Sequence, residues 1–402
     1  MRERALQSVS ELRNILQQNN EASLSESERV QALQAAKALV NSLEKPADAL
    51  LILGYTPAVW MAMRICVELN VFSILSENCE TSSQELARRT GADEALIKRL
   101  VRVLVASGYV AEQGPGLYGS TKWTEQLQTK ATQGMVKYIY DIPMPAIAQA
   151  PSWFKKTGYQ NPTDPKDSLL HYAFDCKGTE LFPWLSLPEN VHHWDDANTF
   201  FEGDKSRPSW VTWFPVREKL ISNRSNVGSV NDGEAPLLVD VGGGRGQDIT
   251  EFEQQFPDIS GRLVLQDQRL VLDSAISLSP RVEKYAIDFF NESPVKGARI
   301  YFLKFILHDF MDEQCLTILK NIMTSMKRGY SYLVINDFIL PDVGCSLLPA
   351  QWDLVMMAAM ASMERSESQW HALLKAAGLS IEGLYQPPGV GQGIIITTLE
   401  QK

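Results

Sequence analysis

The sequence has little of what several large protein classes require. Five cysteines, Cys66, Cys79, Cys176, Cys315 and Cys345, are scattered through 402 residues with no CxxC pair. That spacing excludes a disulfide scaffold and a cysteine-based zinc site and suits a reducing compartment. Basic charge is in deficit, with 38 Lys and Arg against 48 Asp and Glu for a net charge of −10, so a nucleic-acid partner is not expected. No run of 18 uninterrupted apolar residues occurs, and the opening MRERALQSVSELRNILQQNN is polar and helical. Neither a membrane span nor a secretory leader is therefore expected, and the localisation expected is cytoplasmic. The GxxxxGK[ST] loop that cradles a nucleotide phosphate chain is also missing.

What is present divides a chain longer than one hydrophobic core usually supports. Residues 1–121 carry helical patterns, including an apolar segment from Pro57 to Leu75 that reads as a buried helix. Within them TSSQELARRTGADEALIKRLVRVLVASGYVAEQGPGLYGST, residues 81–121, reads as helix, turn, helix and wing. Ser82 stands three residues before Glu85 as a helix cap, Glu94 to Ala106 forms a second helix, and Gly-Pro-Gly joins two short strands. The basic residues of this module are diluted by Glu85, Asp93 and Glu94, which favours dimer packing over DNA reading. Residues 122–235 are mostly helical and rich in tryptophan, a bridge expected to carry walls of a substrate pocket. In residues 236–402 short apolar runs (LLVDV, RLVLQ, VEKYA, RIYFL, SYLVIN, GIIITTL) alternate with amphipathic stretches. That alternation predicts an α/β, mostly parallel sheet with ligands beyond the carboxyl ends of its strands.

The chemistry-bearing residues lie at those ends. LLVDVGGGRGQDI places Gly242, Gly243, Gly244 and Gly246 between a strand and a helix, where backbone must approach a ligand or adopt positive φ. A tight strand-to-helix turn alone would ask for the same residues. Asp267 ends the next run, where a carboxylate accepts the hydrogens of a ribose diol. Asp288 and Phe289 follow the run after it, a polar acceptor and an aromatic face for adenine. An adenosine site without provision for phosphates fits S-adenosylmethionine (SAM).

The ordered set DVGGGRG, LVLQD, DFF, LKFILHDFMDE, VINDFILPD and ERSESQWHALLKAAGL resembles the SAM-dependent O-methyltransferases of the caffeic acid type, and their fungal secondary-metabolism branch more closely. The resemblance covers roughly residues 50 to 400. It implies a Rossmann-like, seven-stranded SAM domain preceded by a winged-helix dimerisation domain, and a homodimer. It also assigns Lys304 to the cofactor, His308 as catalytic base, and Asp337 and Glu364 as the carboxylates flanking the histidine. A base with an ordinary pKa of about 6.5 suits a hydroxyl with pKa near 10 when a carboxylate fixes its tautomer. Asp309 reads as a cap for the helix beginning near Glu313. By the same resemblance Met356, Met357 and Met360 line an apolar acceptor cavity, although their helical spacing equally suits core packing. The scaffold is shared with leporin-type SAM-binding pericyclases and dehydratases, which do not transfer methyl. There an arginine replaces His308, and the pocket histidine falls near Lys137. Retention of His308 therefore favours transfer of methyl to a hydrophobic aromatic, pyridone or polyketide acceptor.

Overall fold

A computed structural model of the chain describes residues 2–17, 24–78, 80–203, 208–221, 235–275 and 278–400. Contacts divide it into two compact units, Met1–Ile142 with Val191–Asp204, and Pro143–Asn190 with Lys205–Lys402. The segment 122–235 is thus divided between the units, and its residues 204–207 and 222–234 lie outside the described ones.

In the first unit the apolar segment read as Pro57 to Leu75 is two helices, Pro46–Glu68 and Val71–Glu77. Asn70, in the left-handed region at φ 56°, separates them, as its short polar side chain permits. Only the second half of Pro46–Glu68 is buried, where Ala62, Met63, Cys66 and Val67 join Phe72, Leu75, Leu86, Ile97 and Leu104 in one core. The first half presents Leu50, Leu51, Ile52, Leu53 and Tyr55 at 62% to 70% exposure. This helix is long and apolar enough to cross a membrane by length and composition only, a property that core helices of soluble proteins share, and 22% of its apolar window is buried. The wing forms a small sheet of β1 (Thr81–Ser82), β2 (Ala111–Gly114) and β3 (Leu117–Gly119) in the order β1-β3-β2. Ser82 caps the helix Ser83–Thr90 by accepting the Glu85 N–H at 3.1 Å. The second helix spans Glu94–Ala106 as the sequence predicts. Arg88, Arg89 and Lys98 pair with Glu85, Glu77 and Glu94, so much of the module's basic charge is already engaged.

The second unit is built on a seven-stranded sheet: β4 (Pro236–Val241), β5 (Arg262–Asp267), β6 (Val282–Ala286), β7 (Ile300–Lys304), β8 (Tyr332–Asp337), β9 (Leu379–Tyr385) and β10 (Gly393–Leu399). The order is β6-β5-β4-β7-β8-β10-β9, parallel through β8, with β10 antiparallel between β8 and β9. Period-two alternation sends the strands' side chains into two cores. Val239, Val241, Tyr301, Leu303, Leu333 and Ile335 pack against the helices Asp312–Ser325 and Glu367–Ala377. Leu238, Ile300, Phe302 and Val334 pack on the other face with Trp210 and Phe252. Strand order reverses between β4 and β7, the position beyond whose strand ends such sheets bind ligands.

Candidate active site

The loop after β4 is shaped by its glycines. Gly242 sits at φ 72°, and a β-carbon there would lie 2.4 Å from Ile306 Cδ1. Gly244, at φ 59°, has nothing within 4 Å of the place its β-carbon would take, which leaves open space for a ligand against bare backbone. Gly243 packs on Asp240, and Gly246 precedes the helix Gln247–Gln255. Asp267, at the end of β5, accepts the Gly244 N–H at 2.8 Å and the Gln268 N–H at 2.6 Å. Burial raises its carboxyl above the usual range against the pull of those two donors. Asp288 is exposed and braces its own turn, accepting from Phe290 N–H and Asn291 Nδ2. Phe289 lies edge-on to Phe290 and Phe310, with its ring 3.6 Å from the Gly242 β-carbon position. These residues suit the adenosine half of SAM. Lys304 is held by another residue of the chain: its Nζ donates to both carboxylate oxygens of Asp248, at 2.7 and 3.0 Å.

The turn Leu307–Asp309 follows β7 and buries His308. The imidazole Nδ1 lies 2.6 Å from Glu364 Oε1, and Nε2 lies 3.2 Å from Asp309 Oδ1. Burial alone would lower the imidazole pKa. The charges of Glu364 and then Asp309 outweigh it and raise the ring to about 10, a shift that favours the imidazolium form. Burial pushes the Asp337 carboxyl up to about 7 and Asp309 to about 6, with His308 pulling both down. Neither Asp337 oxygen, nor Glu364 Oε2, has a hydrogen-bond partner among the described residues. Asp309 was expected to cap the following helix, but that position belongs to Met311, and the Asp309 side chain turns to the histidine instead. Phe305 adopts φ 53°, a strained region for a bulky side chain. Its ring lies 4.9 Å from the imidazole and stacks with Trp352 at 5.9 Å and 5°.

Residues 51–130 match the model of the O-methyltransferase dimerisation domain, and residues 221–380 that of the O-methyltransferase domain. Among curated proteins, the O-methyltransferase penC of Penicillium thymicola is 33% identical over 374 residues, 92% of this chain and 91% of the relative. The O-methyltransferase asqD of Emericella nidulans is 35% identical over 342 residues, covering 84% and 86%. The chain belongs to the SAM-dependent O-methyltransferases. Among solved structures this methyltransferase is similar to LepI in complex with SAM, with a TM-score of 0.86, 28% identity and coverage of 98% of this chain and all of the other. It shares the fold of OxaC at a TM-score of 0.83 and 24% identity, covering 98% of this chain and 99% of that one. The match to the dimerisation domain supports homodimer formation, and that domain begins within the exposed half of Pro46–Glu68.

Several residues complete the methyltransferase's site without having been singled out by spacing. Arg365, 1% exposed, donates from Nη1 to the Leu307 carbonyl at 2.7 Å and from Nη2 to the Phe310 carbonyl at 2.9 Å, gripping the His308 turn at both ends. Asp353 accepts the Glu364 N–H at 2.8 Å. Asp240, the carboxylate inside the apolar run LLVDV, is buried with Oδ2 unpartnered, and burial raises it well above the usual range. A charge inside such a run was the signal for it. Met356 and Met360 are buried and Met357 is half-buried on the helix Leu347–Met360. Lys137 belongs to the first unit, where its Nζ lies 3.6 Å from Asp196.

Proposed function

We propose that the protein methylates a hydroxyl of an aromatic, pyridone or polyketide-type small molecule, with His308 as the general base. The observation that carries this reading is the buried row Glu364–His308–Asp309, in which each ring nitrogen faces one carboxylate. SAM supplies an electrophilic methyl group when bound, with Gly242, Gly244 and Asp267 placed to hold it. Glu364 fixes the proton on Nδ1 and so sets the tautomer. At 3.2 Å the Nε2 contact with Asp309 is long for a charge-assisted bond, and Asp309 is the acceptor for the Nε2 proton. Moving that proton onto Asp309 frees Nε2 to take the next one from the acceptor hydroxyl as its oxygen becomes the nucleophile. Phe305 and Trp352 offer flat apolar surface beside this point for a planar acceptor.

A second reading rests on the same contacts. An imidazolium held between two carboxylates is a fixed cationic donor, which suits a SAM-binding pericyclase or dehydratase as well as a base, and a pericyclic-reaction enzyme is among the structural neighbours at 27% identity. Incubation with methyl-labelled SAM and a panel of phenols, pyridones and polyketide enols separates the two. Label transfer by the wild type and its loss in His308→Ala, with SAM affinity retained, is the expected result. SAM bound and an acceptor converted without label transfer would replace methyl transfer by the second reading.

A further inference from the structure

Three carboxylates surround a single imidazole. Asp309, Asp337 and Glu364 are coupled to His308, while the guanidinium of Arg365 is bonded to Asp312 and two carbonyls. Asp353 adds a fourth carboxylate behind Glu364. With every acid ionised, His308 and its three partners carry one positive and three negative charges, with His308, Asp337 and Glu364 buried and the Asp309 side chain 13% exposed. A buried, uncompensated charge of that size is too costly to persist, so the cluster holds a proton or receives a cation. Asp337 is the member whose state is least constrained: it is fully buried, on β8, with both oxygens unpartnered. Glu364 is committed to Nδ1 and Asp309 to Nε2.

We infer that Asp337 is the cluster's proton store, protonated at rest, ionised when the sulfonium of SAM arrives, and reprotonated as methyl transfer removes that positive charge. The inference rests on the proposed cofactor chemistry and adds a proton count to it. In methyl transfer the acceptor's O–H bond breaks and an O–CH3 bond forms. The methyl–sulfur bond breaks with its electron pair left on sulfur, His308 takes the hydroxyl proton, and the proton that His308 had passed to Asp309 moves on to Asp337. A positive charge leaves the sulfur as a positive charge enters the cluster, so the buried site keeps one net charge throughout. The product thioether is then released from a site that no longer attracts it as a cation.

The test counts protons rather than turnover. Calorimetric titration of the full chain at pH 7, repeated in buffers of different ionisation enthalpy, gives the protons released on binding. SAM is expected to expel on the order of half a proton more than S-adenosylhomocysteine does. Asp337→Asn is expected to abolish that difference while SAM still binds. Equal proton release for the two ligands in the wild type would overturn the inference, even if the enzyme methylates. A difference that survives unchanged in Asp337→Asn would also overturn it by moving the store to another group. Proton release on SAM binding with no label transferred to any acceptor would leave this inference standing and remove the methyl-transfer reading.

Discussion

At the scale of single residues, burying Asp337 without a hydrogen-bond partner among the described residues costs the fold stability once the carboxyl ionises. Its folded pKa lies near 7 against an ordinary 3.8, so the folded state binds this proton more tightly than the unfolded chain does. The stability associated with it is complete below about pH 4, declines as pH rises from there, and is gone above about pH 7. Asp337→Asn is therefore expected to stabilise the fold at pH 8 by about 2–4 kcal/mol and to have little effect at pH 4. Chemical denaturation at the two pH values checks this. A destabilised variant at pH 8 would mean that the ionised carboxylate is welcome in the folded protein. Phe305 shows a similar compromise in its backbone, since a left-handed bulky residue is kept where its ring meets both His308 and Trp352.

At the scale of elements, Arg365 and Glu364 are neighbours in sequence that hold the His308 turn in different ways, one by its backbone carbonyls and the other by its ring. Arg365→Met leaves the Leu307 and Phe310 carbonyls without those donors, a loss of about 1–3 kcal/mol. The expected accompaniment is a fall in kcat with little change in KM for SAM, and Arg365→Lys should retain more of both. Steady-state kinetics beside thermal unfolding would show it. Unchanged kcat in a folded Arg365→Met protein would count against the clamp. The contrast with the glycine loop explains what the sequence made readable. Gly242 to Gly246, Asp267 and His308 each follow an apolar run directly, so local order places them at strand ends. The grip of Arg365 joins residues more than fifty positions apart, and no local pattern announces it. β9, LSIEGLY, escaped notice because it is an edge strand interrupted by Ser380, Glu382 and Gly383. Asp309 looked like a cap because an aspartate shortly before a helix suits that role, whereas the cap position falls two residues later, at Met311.

At the scale of the whole molecule, the unsolved requirement of a single chain is the apolar face of Pro46–Glu68. Its periodicity reads as burial, and the chain itself buries only the second half. The dimerisation-domain match supports a homodimer, and a second copy is the occupant expected for this face. Leu51→Glu with Leu53→Glu is expected to shift the protein from dimer to monomer in analytical ultracentrifugation, because burying two carboxylates in an apolar interface is costly. A dimer that survives both substitutions would place the contact elsewhere on the domain.

β10 also bears on how the protein is made. It lies antiparallel beside β8 with Gly393 opposite Asp337, and the Asn336 side chain donates to the Gly393 carbonyl at 2.8 Å. A nascent chain that has emerged only as far as β8 therefore has His308, Asp309 and Asp337 but lacks both Glu364 and the strand that pairs beside Asp337. Wet carboxylates titrate normally and hold no proton in reserve. The proposed proton store is thus assembled only after Glu364 has joined His308 and β10 has folded back beside β8.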